Sequence, residues 1–272
     1  AAQPSTAVGA GNSKPDRVVT IYLTRHGRTI LNQTDTVQGW SDSPLLVGTK
    51  PIATAPVGKL DEGRPLAAAY SADGKRHFET ATYALQGAGQ SKLTVTQDAR
   101  LREVNFGKYE GKENKELWTA ATEHLGYTID HDAAPLAPAD ANGQNGGWQT
   151  MQGIAIAQHG LYGMMTAIKA VADAPELGLP AEDCSDVDAR MTDALTEIAT
   201  KAVNKNDKTV FVVSSGLSIS CFAGAPDMRD TTGAAPTMPP ASVPNLGVTK
   251  VIYKNGSFTI DGPVGSKAYY PQ

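Results

Sequence analysis

At 272 residues with 40% hydrophobic content, the chain is long enough for one large α/β domain carrying insertions or for two small ones, and a single domain is the expectation. A formal charge of -4, with 24 Lys and Arg spread along the chain, gives no basic stripe of the kind that binds a nucleic-acid backbone and argues against that class of partner. No apolar run approaches the roughly 20 residues that span a bilayer, so no transmembrane segment is expected.

Residues 1–16 are rich in Gly, Ser, Pro and Ala without periodicity, which predicts a disordered leader or linker. Such a segment suits what remains after a secretory signal peptide is removed, or a trimmed end, and a secreted or cell-surface location is preferred to a cytoplasmic one. Residues 17–272 then form the single domain. The run Val18 to Thr24 predicts a first strand, ending at Arg25-His26-Gly27, and Thr29 to Gln33 a short helix. Pro44, Pro51 and Pro56 interrupt the stretch from Gln38 to Gly63, so any helix there is short or starts at a proline. A second strand is predicted at Leu66 to Tyr70, a helix from Arg76 to about Gln86 after the turn Ser71-Ala72-Asp73-Gly74, and a third strand at Lys92 to Gln97. Strand, helix and strand at this spacing predict an α/β three-layer sandwich, a mainly parallel central sheet flanked by helices.

From about 112 to 180 the pattern changes to helical pieces, Asn114 to Leu125 and Gly153 to Ala172, around a loose stretch from Asp132 to Gly147. This is expected to be a helical cap insertion over the active site. A helix at Ser185 to Val203 with a stripe of apolar positions precedes the most apolar strand, Thr209 to Val213. A Pro-rich loop from Ala225 to Pro244 follows, and a hairpin closes the chain: Val248 to Tyr253, the turn Lys254-Asn255-Gly256, then Ser257 to Ile260. Cys184 and Cys221 fit one disulfide or two buried thiols, with buried thiols the simpler expectation. No Cys-x-x-Cys or His-x-x-x-His spacing occurs, so neither a metal nor any other cofactor is expected.

Arg25-His26-Gly27 places an imidazole beside a fixed cation at the end of a strand, where open α/β sheets hold ligands. It is followed by Asn32, by Val37-Gln38-Gly39-Trp40, by Arg76 with Glu79-Thr80-Ala81, and by the run from Leu101 to Gly111 that contains Arg102-Glu103-Val104-Asn105-Phe106-Gly107. In this order and spacing these segments resemble the histidine phosphatase superfamily, also called the phosphoglycerate mutase-like family. The resemblance runs from about Val18 to Gly111 and resumes at Glu182 to Arg190, at Val212 to Ile219 and in the closing hairpin.

The residue types have physical reasons of their own. A neutral imidazole can attack phosphorus and divide hydrolysis into two transfers through a covalent intermediate, which makes His26 the expected nucleophile. Arg25 and Arg76 can bind phosphoryl oxygens bidentately, and their charge disfavours imidazolium at His26. Gly27 permits close backbone approach. Asn32 is expected to add a neutral hydrogen bond to the phosphate, with Gln38-Gly39 lining the pocket. Trp40 is expected in core or cap packing. The resemblance implies that Glu103 is the proton donor to the leaving oxygen, a general-acid role.

One position departs from the pattern. Where the family has a second histidine in a Ser-His-Gly context, this chain has Ser214-Ser215-Gly216. Ser215 and Gly216 are still expected at the phosphate, but serine carries no cationic charge, and losing one charge-stabilising donor costs roughly 10²- to 10³-fold in rate. An engineered substitution, a natural variant of attenuated activity and a phosphate-binding protein without turnover all fit. His77, His124, His131 and His159 stand outside the motif positions; His159 lies in the cap, within approach of the pocket, and a surface location is its ordinary expectation.

The resulting expectation is a phosphomonoester hydrolase that acts on a small phosphorylated substrate through a phosphohistidine at His26. Two alternatives stand beside it: phosphoglycerate mutase-like transfer, and a noncatalytic phosphate-binding module at the cell surface. The surroundings of Glu103 and the Gln38-Gly39-Trp40 turn look more like the phosphatase branch. Acidic residues of the insertion, among them Glu113, Glu116, Glu123, Asp130 and Asp132, disfavour highly phosphorylated substrates unless they face solvent.

Overall fold

The computed structural model describes residues 17–48, 60, 64–240 and 242–269. The leader expected at 1–16, and Pro51 and Pro56, lie outside these residues.

A six-stranded sheet runs in the order β3-β2-β6-β1-β7-β8. Its strands are β1 (Val18–Arg25), β2 (Ala68–Ser71), β3 (Val95–Gln97), β6 (Thr209–Ser214), β7 (Val248–Lys254) and β8 (Ser257–Ser266). β3, β2, β6 and β1 pair in parallel, while β7 and β8 close the edge as an antiparallel hairpin. The sheet is thus mixed and three of its five pairings are parallel, in line with the α/β expectation.

Period-2 alternation sends the two faces of each strand into separate cores. Ile21, Leu23, Val210 and Val212 face one cluster, and Tyr22, Phe211 and Val213 face the other. The helix α2 (Lys75–Gly87) covers the second face through Ala81, Ala84 and Leu85. On the first face lie α5 (Cys184–Lys205) and α6 (Gly216–Ala223), with α3 (Asn114–His124) and α4 (Trp148–Ala172) packed outside them. β6 is buried at every position because it is central and covered on both sides. Truncating a fully buried side chain there, such as Val212, costs about 1–3 kcal/mol.

Local chemistry sets the ends of the helices. The short α1 (Ile30–Gln33) starts at a capping box in which Thr29 and Asn32 satisfy each other's backbone N–H groups. Asp183 and Asp186 do the same for α5, which ends at the left-handed Asn206.

Several expectations change. Cys184 and Cys221 are joined in a disulfide, Cα to Cα 5.1 Å, rather than left as two thiols. The reason is tertiary: both residues lie in helices, α5 and α6, on the same face of the sheet, a proximity that a separation of 37 residues does not announce. α6 itself is a helix the sequence reading did not anticipate, because its eight residues follow a strand directly and Ser215, the residue before it, makes no side-chain cap. α4 begins at Trp148, five residues before the expected start, and Gly160 (φ 72) breaks it into two segments. The loose stretch of the insertion pairs Thr128–Ile129 (β4) with Asn145–Gly146 (β5). Among the described residues no helix is long and apolar enough to cross a membrane.

Candidate active site

The carboxyl ends of β1, β2 and β6 lie side by side, and each delivers a candidate residue. β1 ends at Arg25, so His26 is the first residue beyond the sheet, and its N–H still bonds to Ser214 O at 3.0 Å. β2 ends at Ser71, and after three intervening residues the chain enters α2 with Arg76 and His77 in its first turn. β6 ends at Ser214, and Ser215 is the residue before α6. The backbone of Ala72 bonds to Val213 O at 3.0 Å, which keeps the β2 and β6 exits in register.

His26 is buried, 2% exposed. Its Nδ1 lies 2.7 Å from Gly27 O, a geometry that requires Nδ1–H as donor and leaves Nε2 as a lone-pair nitrogen. Burial, then the nearby charges of Arg76, His77 and Arg25, hold this imidazole well below the usual histidine range. It is therefore neutral at pH 7.

The two arginines have donors to spare. Arg76, 1% exposed, donates from Nη1 to Ser41 O (2.9 Å) and Asp42 Oδ1 (2.8 Å) and from Nη2 to Gly39 O (2.8 Å), while its buried Nε has no partner. Arg25 donates from Nη1 to Val243 O at 2.5 Å, and its Nε is likewise buried and unpartnered. In a guanidinium, Nε–H and one Nη–H form a fork that matches two oxygens of a carboxylate or phosphate. Gly216 lets Arg25 lie against the start of α6, since a Cβ there would stand 3.3 Å from both Arg25 Cδ and Nε.

The remaining expected residues take supporting places. Gly27 is buried, and its N–H is held by Thr80 Oγ1 at 3.0 Å, tying the β1 exit to α2. Asn32 uses its side-chain oxygen to accept from Thr29 N–H and from Asn245 Nδ2, which also donates to His26 O. Asn32 thus sits beside the His26 backbone as part of a cap. Gln38 is bonded to Thr29 and Ser43 and is spent inside the loop. Ser215 is fully buried, and its Oγ lies 2.6 Å from His77 Nε2.

Glu103 is 7% exposed and lies at the start of α6. It accepts from the N–H groups of Val104 (2.9 Å), Ser218 (2.9 Å) and Leu217 (3.1 Å), and from Ser218 Oγ (3.1 Å). The carboxylate therefore caps the first turn of α6, the helix that Ser215 leads into. Trp40 departs from its expected packing: it is 45% exposed, its indole N–H donates to Glu103 O at 3.0 Å, and the Arg102 guanidinium covers its ring at 4.5 Å. A ring with a hydrogen-bonding tip fits such a half-wet position better than the core.

Three groups that hold the site were not anticipated. Glu110 accepts from the N–H groups of Gly39, Trp40, Ser41 and Phe106, and so shapes the loop whose carbonyls hold Arg76. Gly39 is demanded by this arrangement, because a Cβ there would lie 2.1 Å from Val104 O. Asp42 is the ionic partner of Arg76 at 2.8 Å. His77, set outside the motif, is buried at 1% exposure with its ring edge-on to His26, centroids 5.2 Å apart. Its position next to Arg76 in the first turn of a helix was the available signal. His159 is exposed and stacks edge-on with Tyr127 in the insertion, as its ordinary reading expects. Among the described residues no cluster of three His, Cys, Asp or Glu could hold a metal ion.

A family model described as the histidine phosphatase superfamily (branch 1) matches residues 21–143. A 2,3-bisphosphoglycerate-dependent phosphoglycerate mutase of Bartonella tribocorum is 33% identical over 99 residues, 36% of this chain and 48% of that protein. The chain spans about half the length of the curated relatives it matches. The crystal structure of a phosphoglycerate mutase from Bacillus anthracis superposes with a TM-score of 0.74 at 29% identity, covering 93% of this chain and 96% of that one. A mycobacterial glucosyl-3-phosphoglycerate phosphatase shares the fold, with a TM-score of 0.54 at 18% identity over 92% of this chain and all of that one. Residues 21–143 thus match the histidine phosphatase superfamily, and the chain as a whole has the fold of a phosphoglycerate mutase.

Proposed function

We propose that this chain is a phosphoryl-transfer enzyme, a hydrolase of small phosphomonoesters that works through a phosphohistidine at His26. The observation that carries the proposal is the pair of buried, unpartnered Nε–H donors of Arg25 and Arg76 beside an imidazole whose Nδ1 is committed to Gly27 O. Buried donors without acceptors are costly, and a phosphoryl group supplies the missing acceptors.

In this reading the substrate phosphate engages both guanidinium forks, and His26 Nε2 attacks phosphorus. The ester P–O bond breaks, and the departing oxygen takes a proton from Glu103. Water then attacks the phosphoenzyme, with Glu103 recovering its proton, and phosphate and free His26 are released. The arginines act on the charge that spreads over the phosphoryl oxygens in the transition state, where fixed donors are worth most. The insertion at 112–180 is proposed as the cap that sets substrate choice. The Cys184–Cys221 disulfide supports an oxidising compartment and thus the secreted or cell-surface location.

The test is turnover of p-nitrophenyl phosphate and small sugar phosphates together with a base-quenched search for phosphate on His26. Turnover with label on His26 supports the proposal, and the absence of both counts against it. Glu103→Gln separates acid from cap: a proton donor predicts a large loss with sugar phosphates and a small one with p-nitrophenyl phosphate, whose leaving group needs less help. The named relatives favour a second reading, mutase transfer back to a bound product. Conversion of 3-phosphoglycerate to 2-phosphoglycerate would select it. Calorimetric binding of phosphate with no label on His26 would select the noncatalytic module.

A further inference from the structure

His77 and Ser215 are joined across two elements at the heart of the site. We infer that His77 is a phosphoryl-binding imidazole of this site, working as a pair with Ser215. The inference rests on the proposed phosphoryl chemistry but concerns a residue that no motif position assigns.

Three observations support it. The ring is 1% exposed and edge-on to His26, so it borders the same space as the nucleophile. His77 follows Arg76 directly, and the first turn of α2 therefore presents a guanidinium and an imidazole together. Its Nε2 is 2.6 Å from Ser215 Oγ, at the residue that leads into α6 beside Arg25 and Gly216. Its buried Nδ1 lies against the backbone of Gly74, the residue before α2, so the ring is held by its own helix on one side and meets Ser215 on the other.

The pair has a defined chemistry. When Nε2–H donates to Ser215 Oγ, the serine hydroxyl hydrogen is released to donate to a phosphoryl oxygen, and the imidazole behind it polarises that bond. A bound phosphate dianion also favours the cationic imidazole, so positive charge enters the site when the anion does. The charged and titratable groups of the site that face it are Arg76 on its own helix, Asp42 from the 41–42 loop beside Gly74, the neutral His26 edge-on to the ring with Arg25 before it at the end of β1, and Glu103 at the start of α6. The inference also accounts for a serine where the motif has histidine: the imidazole enters the same site from α2.

The test has two arms. In the first, kcat, KM and phosphate affinity by calorimetry are measured for the parent, His77→Gln, His77→Ala and the double change His77→Ala with Ser215→His. The expected result is a 10²- to 10³-fold loss of kcat and weaker phosphate binding in both single variants, with the double variant recovering to within about tenfold of the parent. Full activity in His77→Gln, or a double variant no better than His77→Ala at equal Tm, overturns the inference. The second arm needs no variant of the site. With the exposed His124, His131 and His159 assigned by surface substitution, two buried rings remain, and 15N ring resonances of the parent are followed as inorganic phosphate is added. Both buried rings responding supports the inference, and one of them staying silent overturns it. Phosphate binding without turnover in the parent would refute the hydrolase reading alone, whereas normal turnover with a silent second ring would refute only the role of His77.

Discussion

Two arginine sites in this molecule show how the same side chain serves opposite ends. Arg190 is matched throughout: Nε and Nη2 grip Glu182 at 2.8 and 2.9 Å, and Nη1 and Nη2 reach the carbonyls of Arg100, Arg102 and Glu103, all at 2.8 Å. Its donors are matched by acceptors from its own chain, and it braces the segment that carries Glu103. Arg25 and Arg76 are as deeply placed, yet each keeps a buried Nε–H with nothing to receive it. A guanidinium that is fully matched organises the fold, and one left partly unmatched inside the protein is built for something that arrives from outside.

The comparison can be broken from its strongest side first. Replacing His26 with Ala removes the proposed nucleophile between the unmatched arginines and should lower kcat by about 10⁴-fold or more, with Tm little changed, as steady-state kinetics and thermal melts will show. Glu182→Ala strikes the matched arginine instead. It leaves Arg190 without its ionic partner and should cost about 3 kcal/mol of stability, read as a lower denaturation midpoint. If that variant instead keeps its stability and loses only turnover, the division between bracing and binding arginines fails.

Arg76→Lys sharpens the contrast further. Lysine keeps the charge but not the fork, so phosphate affinity or kcat/KM should fall roughly 10²-fold while the fold survives. The smallest effect is a pH dependence. Burial, and next the charge of Arg76, hold both His26 and His77 well below the usual 6.5, so the unfolded chain binds more protons than the folded one as pH falls beneath that value. Their contribution to stability is complete above pH 6.5 and declines below it, by up to about 1.4 kcal/mol per pH unit for each ring. Thermal melts from pH 7.5 to 5 should show the decline, and His77→Gln should make it shallower; an unchanged slope would place the titration elsewhere.

Much of the site was legible because it is built from strand ends. A run such as Val18 to Thr24 announces a strand, and the residue after it must lie at a sheet edge, so His26, Arg25 and the arrival of Arg76 after β2 follow from order along the chain. His77 did not follow, because one residue of helix rotation turns a side chain by about 100° and only packing decides whether that direction is solvent or pocket. Trp40 was placed wrongly for a related reason: the ring's destination depended on Arg102 and on the Glu103 carbonyl, from a segment far along the chain.

By itself, the order of apolar runs, turns and charged residues determined an α/β sheet with a histidine and two arginines at its carboxyl edge, since hydrophobic periodicity and strand exits are local properties. Only the tertiary structure decided which donors stay unmatched, which imidazole meets Ser215, and that Cys184 bonds Cys221. Those outcomes depend on distances between residues remote in sequence, and such distances come into being only when the helices settle on the two faces of the sheet.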